Sequence, residues 1–131
     1  MIRTMPYGVE SPEPGGPAMI EAVSFGSITI DGKTYTSDIL FFPDGRVADA
    51  WRRRAGHRLS MADIAPLVAA EPEVIVAGCG VSARMVPDSG MAGALAKQGI
   101  EFFAAANGEA AEIFNRHCGR RKAGACFHLT C

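Results

Sequence analysis

Two glycines follow a short apolar run, with the spacing of a phosphate-binding turn. Gly78-x-Gly80-x-x-Ala83 comes directly after Val74–Ala77, and as a string it fits the dinucleotide-binding fingerprint. That mechanism needs a helix that starts within the turn and directs its N-terminal N–H groups at the pyrophosphate. Pro87 interrupts any helix that begins at the glycines, and Glu101 lies at the start of the next predicted strand, whereas ribose recognition needs its carboxyl end. The sequence therefore disfavours a nucleotide site.

The same turn is still a candidate ligand site because of its position. In an open α/β sheet, ligands bind at the carboxyl ends of strands. Cys79 and Arg84 would line such a crevice, with Arg84 as a fork for a carboxylate or phosphate. Cys79 could be a nucleophile with His57 or His117 as its base. A small buried thiol is the favoured interpretation, because nothing in the sequence brings a histidine to it.

The most basic part of the chain follows the single tryptophan, Trp51. Arg52, Arg53 and Arg54 come first, and Arg58 follows Gly56 and His57. A run of this kind is usually a solvated loop. The alternative interpretation is a rim that binds an anion or a partner.

Potential ligands for a soft metal gather near the C-terminus. They are His117, Cys118, Cys126, His128 and Cys131. Zinc or copper is chemically compatible with such side chains. There is no paired Cys-x-x-Cys knuckle, however, and His117 has the spacing of a core residue. We therefore predict no bound metal and no cofactor, and interpret the cysteines as ordinary thiols.

Length and composition predict one small globular domain. The chain has 131 residues, 48% of them hydrophobic and 21% charged, with a formal net charge of −1. This charge argues against broad binding of nucleic acid or anionic membranes, and no apolar run reaches the roughly 20 residues of a transmembrane helix. Without a secretory signal, the four cysteines indicate reduced thiols in the cytoplasm.

Proline and glycine divide the chain into an arm and a domain. Residues 1–18 hold four prolines and are predicted to be a flexible arm. Residues 19–131 are predicted to form the domain. Its first third reads as strands that include a hairpin at Asp31-Gly32. The predicted strands there are Met19–Val23, Ser27–Ile30, Lys33–Thr36, Asp38–Phe42 and Arg46–Trp51.

Helices alternate with strands in the rest of the chain. The first helix is predicted to have Asp63 as its N-cap, which leaves Pro66 in the first turn. Pro87-Asp88-Ser89 opens the second helix and Asn107 caps the third. The predicted strands between and after them are Val74–Ala77, which we place at the centre, Ile100–Phe103 and Ala125–Thr130. Alternation of this kind predicts an α/β fold: a single three-layer domain with a mixed, largely parallel sheet, helices on its faces and an N-terminal β-hairpin.

The order of these motifs resembles the Mth-type domain of unknown function. The matching pieces are Ile30-Asp31-Gly32-x-x-Tyr35, Asp38-Ile-Leu, Trp51, Gly56-His57-x-Leu59, Val74-Ile-Val-Ala-Gly-x-Gly80, Pro87, Gly99-Ile100-Glu101 and Ala110-Ala111-x-x-Phe114-Asn115. The resemblance covers about residues 19–130. The family includes a mitochondrial NADH dehydrogenase (complex I) assembly factor and an adipogenesis-associated protein. Cys79 and Asn107 stand where the family usually has threonine, and the C-terminal cysteine and histidine cluster is not part of its pattern.

The resemblance implies a fold and no catalytic residues. It suggests a non-enzymatic binding or assembly-factor domain that holds a protein partner. Assembly of a respiratory complex would follow from family analogy alone. The candidate ligand or partner surface comprises Gly78, Cys79, Gly80, Arg84, Trp51, Arg53 and His57. The alternative is a small-molecule anion site, or an enzymatic one, at the carboxyl end of Val74–Ala77, which would fail if the glycine loop packs against the third helix. A homodimer through an exposed sheet edge is also compatible with the fold.

Overall fold

A computed structural model describes residues 19–54 and 56–130, so the arm predicted for residues 1–18 lies outside the described residues. The strands are β1 (Ile20–Ser24), β2 (Ser27–Ile30), β3 (Lys33–Tyr35), β4 (Ile39–Phe41), β5 (Val47–Ala48), β6 (Arg58–Leu59), β7 (Val74–Gly78), β8 (Val86–Pro87), β9 (Glu101–Ala105) and β10 (Ala123–Phe127). The helices are α1 (Ala65–Ala69), α2 (Met91–Ala96) and α3 (Asn107–His117). Within this part of the chain, no helix has the length and apolar character needed to cross a membrane.

The main sheet has five strands in the order β5-β4-β10-β7-β9. β7 pairs in parallel with β10 and with β9, whereas β4 is antiparallel to both β10 and β5. The prediction of a mixed sheet is confirmed, but only half of the pairings are parallel. β10 is the central strand, not Val74–Ala77 as predicted. Every residue of β7 and β10 is buried, which explains why both strands read as continuous apolar runs.

The predicted N-terminal hairpin is present and packs on α3. β1, β2 and β3 form an antiparallel sheet. Asp31 and Gly32 have φ angles of 52° and 85°, as a two-residue hairpin turn requires. The side chain of Asn115 on α3 bonds both backbone groups of Ile20, accepting at 3.0 Å and donating at 2.8 Å. These two hydrogen bonds fix the hairpin to the helix.

Two apolar clusters lie on opposite faces of the main sheet. Val74 and Val76 belong to a cluster with the hairpin and α3, whereas Ile75 and Ala77 belong to a cluster with α1 and α2. The alternation follows from the two-residue period of side chains along a strand. The interior strands are therefore covered on both sides by other parts of the chain.

The strand predicted for Arg46–Trp51 is much shorter than expected. It is the two-residue β5, because Ala50 adopts a φ of 55° and turns the chain away from β4. The N–H of Trp51 then bonds the carbonyl of Asp38 at 2.9 Å. Trp51 therefore begins a loop at the carboxyl end of β10.

The prediction of Asp63 as the N-cap of the first helix is wrong by one residue, because the N-cap is Ile64. A 3₁₀ turn spans Met61–Ile64, and α1 starts after it with Pro66 in its first turn, as expected. Asp63 is instead the third residue of the 3₁₀ turn and accepts hydrogen bonds from the N–H and the hydroxyl of Ser60, at 2.8 and 2.9 Å, in a capping box. Asp63 therefore takes part in capping the 3₁₀ turn, while Pro66 lies in the first turn of α1, where a missing N–H costs no helical hydrogen bond.

Candidate functional site

Two short strands join the basic segment to the end of the glycine loop. β6 pairs in parallel with β8, and Arg58 lies opposite Val86. The N–H of Val86 donates to the carbonyl of His57 at 2.8 Å, and the guanidinium of Arg58 bonds Asp88 at 2.8 Å. We call the described residues of 51–58 and 81–88 the arginine–valine surface. The sequence predicted neither strand, because a two-residue strand carries no periodicity.

The outer face of this surface combines apolar and basic side chains. Val81 is 46% exposed and Val86 is 60% exposed, and they are two of the four exposed large hydrophobic residues in the described part of the chain. Arg52, Arg54 and Arg84 are also exposed. Their guanidinium groups form no ion pair with any described residue. The surface therefore offers aliphatic contact area and uncompensated positive charge.

Trp51 and Arg53, two of the predicted surface residues, lie beneath that face. The side chain of Arg53 is only 6% exposed, and it bonds Asp38 at 2.8 Å and the carbonyl of Gly56 at 3.0 Å. The indole N–H of Trp51 donates to the carbonyl of Asp63 at 2.9 Å. The guanidinium of Arg53 lies 5.1 Å from the centre of the Trp51 ring. Both side chains hold the loop in place from within.

Asp38 is the centre of a half-buried ion cluster that the sequence did not reveal. One carboxylate oxygen contacts Arg53 and also Nδ1 of His128 at 2.7 Å, and the other accepts the N–H of Leu129 at 2.8 Å. Burial alone would raise the pKa of Asp38, but the hydrogen bonds from Arg53, His128 and Leu129 outweigh it, so the pKa is lowered. The ring of His57 lies edge-on to His128, with the ring centres 5.9 Å apart. The cluster thus links the loop to the end of β10.

The glycine loop is packed against the first turn of α3. The N–H of Gly80 donates to the side-chain oxygen of Asn107 at 3.0 Å, and the N–H of Asn107 donates back to the carbonyl of Gly80 at 3.0 Å. The amide nitrogen of Asn107 donates to the carbonyl of His128 at 2.8 Å. Asn107 was predicted to cap α3, but its side chain makes no capping bond. It joins the loop to the end of β10, and this packing argues against a small-molecule site between the loop and α3.

Cys79 and Arg84 do not line one crevice, because Cys79 is buried and Arg84 is exposed. The Cys79 sulfur lies 3.7 Å from the carbonyl of Ala77, and burial raises the pKa of the thiol. A thiol that stays protonated is a poor nucleophile. The structure therefore favours the interpretation of Cys79 as a small buried side chain.

Cys79 is expected to resist alkylation in the folded protein. At pH 7.5, we expect iodoacetamide to modify it at least about tenfold more slowly than in denaturant, because burial limits both access and thiolate formation. Peptide mass spectrometry over time measures this rate. Labelling of Cys79 at equal rates in the two states would show an accessible thiolate and return it to the list of candidate nucleophiles.

The potential metal ligands do not converge. Among residues 19–54 and 56–130, no three histidine, cysteine or acidic side chains are placed to hold a metal ion. His117 stacks on Phe103 with ring centres 5.4 Å apart. Burial raises the pKa of Cys118 to about 11, and burial is also the main cause of the raised pKa of Cys126. Cys131 lies outside the described residues.

An open cleft of about 840 Å³ lies away from the arginine–valine surface, at the amino ends of the parallel strands. Its lining carries four cations, Arg46, Arg120, Arg121 and Lys122, and three carboxylates, Asp31, Asp44 and Glu73. Arg46 bonds Asp44 at 2.8 Å and Arg121 bonds Glu101 at 2.7 Å. Because its cations and carboxylates nearly balance, the cleft carries little net charge and is a weaker candidate for a charged ligand than the arginine–valine surface.

Comparison with known proteins identifies a family. The model of a protein family of unknown function (DUF498/DUF598) matches residues 20–128. A conserved hypothetical protein of Pyrococcus horikoshii OT3 has a similar structure, with 24% identity, a TM-score of 0.74 and coverage of 86% of this chain and 98% of that chain. The protein MT938 is 25% identical, with a TM-score of 0.71 and coverage of 87% and 99%.

A Mth938-like domain of Bordetella pertussis is 18% identical, with a TM-score of 0.56 and coverage of 86% of this chain and 85% of that chain. No curated protein matches the sequence. The family match spans most of the chain, and the solved structures share its fold. The chain therefore belongs to the DUF498/DUF598 family, the Mth-type domain of unknown function that its motifs resemble.

Proposed function

We propose that this domain is a non-enzymatic binding module that holds a protein partner on the arginine–valine surface. The pairing of β6 with β8 carries the proposal, because it unites two segments that are about 30 residues apart into one exposed surface. An assembly role is the functional context that the family resemblance suggests, and the expectation of reduced cysteines places that role in the cytoplasm. The proposal takes residues 19–131 as one three-layer domain, which the apolar clusters on both faces of the main sheet support.

The composition of the surface is that of a partner site. Exposed apolar side chains that are rimmed by polar ones commonly mark protein interaction sites, and arginine is enriched at interfaces. Val81 and Val86 supply the apolar contact, and Arg52, Arg54 and Arg84 supply the rim. A deep pocket with convergent polar groups would instead indicate a small-molecule site, and the packed glycine loop offers none between itself and α3.

The surface also rests on a rigid base, which reduces the entropy lost on binding. Arg53 and Trp51 are tied from below to Asp38 and Asp63. The backbone of the loop is further fixed because the N–H of Arg54 donates to the carboxylate of Asp63 at 3.1 Å. The basic loop is therefore largely organised before a partner arrives.

Removing both exposed valines is expected to abolish partner binding without unfolding the domain. The test is affinity capture from the native host with the wild type and with Val81→Ser/Val86→Ser, quantified by mass spectrometry. We expect proteins enriched by the wild type to fall at least about tenfold with the variant, because apolar contacts at the centre of an interface carry most of its binding energy.

Met19→Ser is the matched control, because Met19 is 44% exposed and directly precedes β1 of the N-terminal hairpin, outside this surface. It should leave capture unchanged. A double valine variant that retains every partner of the wild type would contradict the proposed surface. Thermal melting of the three proteins checks that the substitutions leave the fold intact.

A further inference from the structure

The arginine–valine surface concentrates positive charge on a chain that is acidic elsewhere. Of the 13 basic and 14 acidic residues in the chain, five arginines and one aspartate lie on this surface. Arg53 is neutralised by Asp38, and Arg58 by Asp88. The three remaining arginines, Arg52, Arg54 and Arg84, have no anionic partner among the described residues. The remaining eight basic and 13 acidic residues give the rest of the chain a formal charge of −5, opposite in sign to that of this surface.

From this polarity we infer that the partner presents an acidic segment with interspersed bulky apolar side chains. The inference rests on the proposed function and names the chemistry of its partner. Carboxylates on the segment would face the guanidinium groups of Arg52, Arg54 and Arg84, where bidentate pairing is geometrically favourable. Its apolar side chains would contact Val81 and Val86. Complementary charge of this kind guides association and selects the partner.

The side chains on this surface favour a protein segment over a nucleic acid. Single-stranded nucleic acids are bound through aromatic platforms on which the bases stack. The exposed hydrophobic residues here are valines. The ring of Trp51 is not available for stacking in the same way, because Arg53 lies over it and its indole N–H is bonded to the carbonyl of Asp63. Carboxylates interspersed with aliphatic or aromatic side chains match the valines and the arginines together, whereas phosphates match only the arginines.

An unbiased selection tests the inference. Random dodecapeptides displayed on phage are selected against the wild-type domain, and the sequences that are enriched are read for net charge and apolar content. We expect net negative peptides that contain bulky apolar residues. One of them, synthesised with a fluorophore, should bind with an affinity that falls as NaCl rises from about 50 to about 300 mM, because salt screens exposed charges.

Two triple variants that change the net charge by the same amount distinguish binding at this surface from general electrostatic attraction. Arg52→Glu/Arg54→Glu/Arg84→Glu should weaken binding of the selected peptide at least about tenfold, because attraction becomes repulsion at three positions. Lys97→Glu/Arg116→Glu/Arg120→Glu changes the net charge equally at exposed positions elsewhere, and should change affinity less than about twofold. Selection of neutral or basic peptides, or equal losses with both triple variants, would overturn the inference. So would tighter binding of a single-stranded oligonucleotide or of an anionic vesicle than of the selected peptide.

The outcome for the inference is distinct from that for the proposed function. If capture of host proteins depends on Val81 and Val86 but is insensitive to the arginine reversals, the proposed binding function is supported and the inference of an acidic partner is overturned. Captured proteins that are insensitive to both sets of substitutions would contradict the proposed surface itself.

Discussion

Replacement of Asp38 by alanine is expected to lower the free energy of unfolding by about 3–5 kcal/mol, the usual effect of leaving a buried charge without its partner. The side chain of Arg53 is 6% exposed and would remain inside without its carboxylate partner. His128 and the N–H of Leu129 would lose the same acceptor. Chemical denaturation of both proteins, followed by circular dichroism, measures the difference.

Asp44→Ala provides the matched control, because Asp44 also pairs with an arginine but at the surface, where the two side chains are 58% and 70% exposed. It should change stability little. Asp38→Leu/Arg53→Met should be more stable than Asp38→Ala, because no buried charge is then left alone. Equal effects of Asp38→Ala and Asp44→Ala would show that the cluster does not hold the loop.

The pH dependence gives the prediction a second measurement. The pKa of Asp38 is lowered in the folded state from 3.8, so its contribution to stability is fully present above that value and is lost as the pH falls through the folded pKa. The difference between the wild type and Asp38→Ala should therefore be constant near neutral pH and shrink in acid. A difference that grows in acid would contradict the lowered pKa.

Gly78→Ala is expected to destabilise the domain by about 3 kcal/mol or more, because a Cβ here meets side chains that have no room to move. The added atom would overlap the ring of Phe127 and lie 2.5 Å from the side-chain oxygen of Asn107. Both residues are almost completely buried. Displacing Asn107 would also leave the N–H of Gly80 without its acceptor. Thermal and chemical denaturation measure the loss.

Gly93→Ala is the same change in open space. No atom lies within 4 Å of a Cβ built at Gly93, which is in the interior of α2. Alanine is favoured over glycine in a helix, so the control should gain about 0.5–1 kcal/mol. A wild-type stability for Gly78→Ala would mean that the loop and the start of α3 separate easily. The crevice at the carboxyl end of β7 would then be accessible after all.

The sequence predicted the regular part of the fold because its signals are local. Asp31-Gly32 determines a hairpin through its own backbone preferences, and Val74–Ala77 reads as a buried strand whatever surrounds it. The order of strands was harder to obtain, because continuous apolar runs at Val74–Ala77 and in β10 look alike. Only the pairing of β10 with both β4 and β7 makes β10 central.

The sequence identified several residues of the candidate site but not the contacts that join them. Trp51, Arg53 and the glycines were singled out by residue type and position. Their partners lie far along the chain: Asp38 and His128 are 90 residues apart, and Asn107 contacts Gly80 across 27 residues. An asparagine beside a helix start can bond its own helix or a distant N–H, and its sequence context is the same in both cases. Such contacts depend on tertiary structure, which one sequence does not specify locally.

The central place of β10 has a consequence for the order in which the domain forms. It is the last strand of the described chain, yet it fills the gap between β4 and β7, and Ala125 pairs with Phe41, 84 positions earlier. In a nascent chain on the ribosome that lacks β10, the apolar strands β4 and β7 therefore have no strand to pair with along their facing edges. Folding of the sheet must follow synthesis of nearly the whole domain, and the long sequence separation slows that step. Until then the unpaired edges of β4 and β7 are natural binding sites for chaperones.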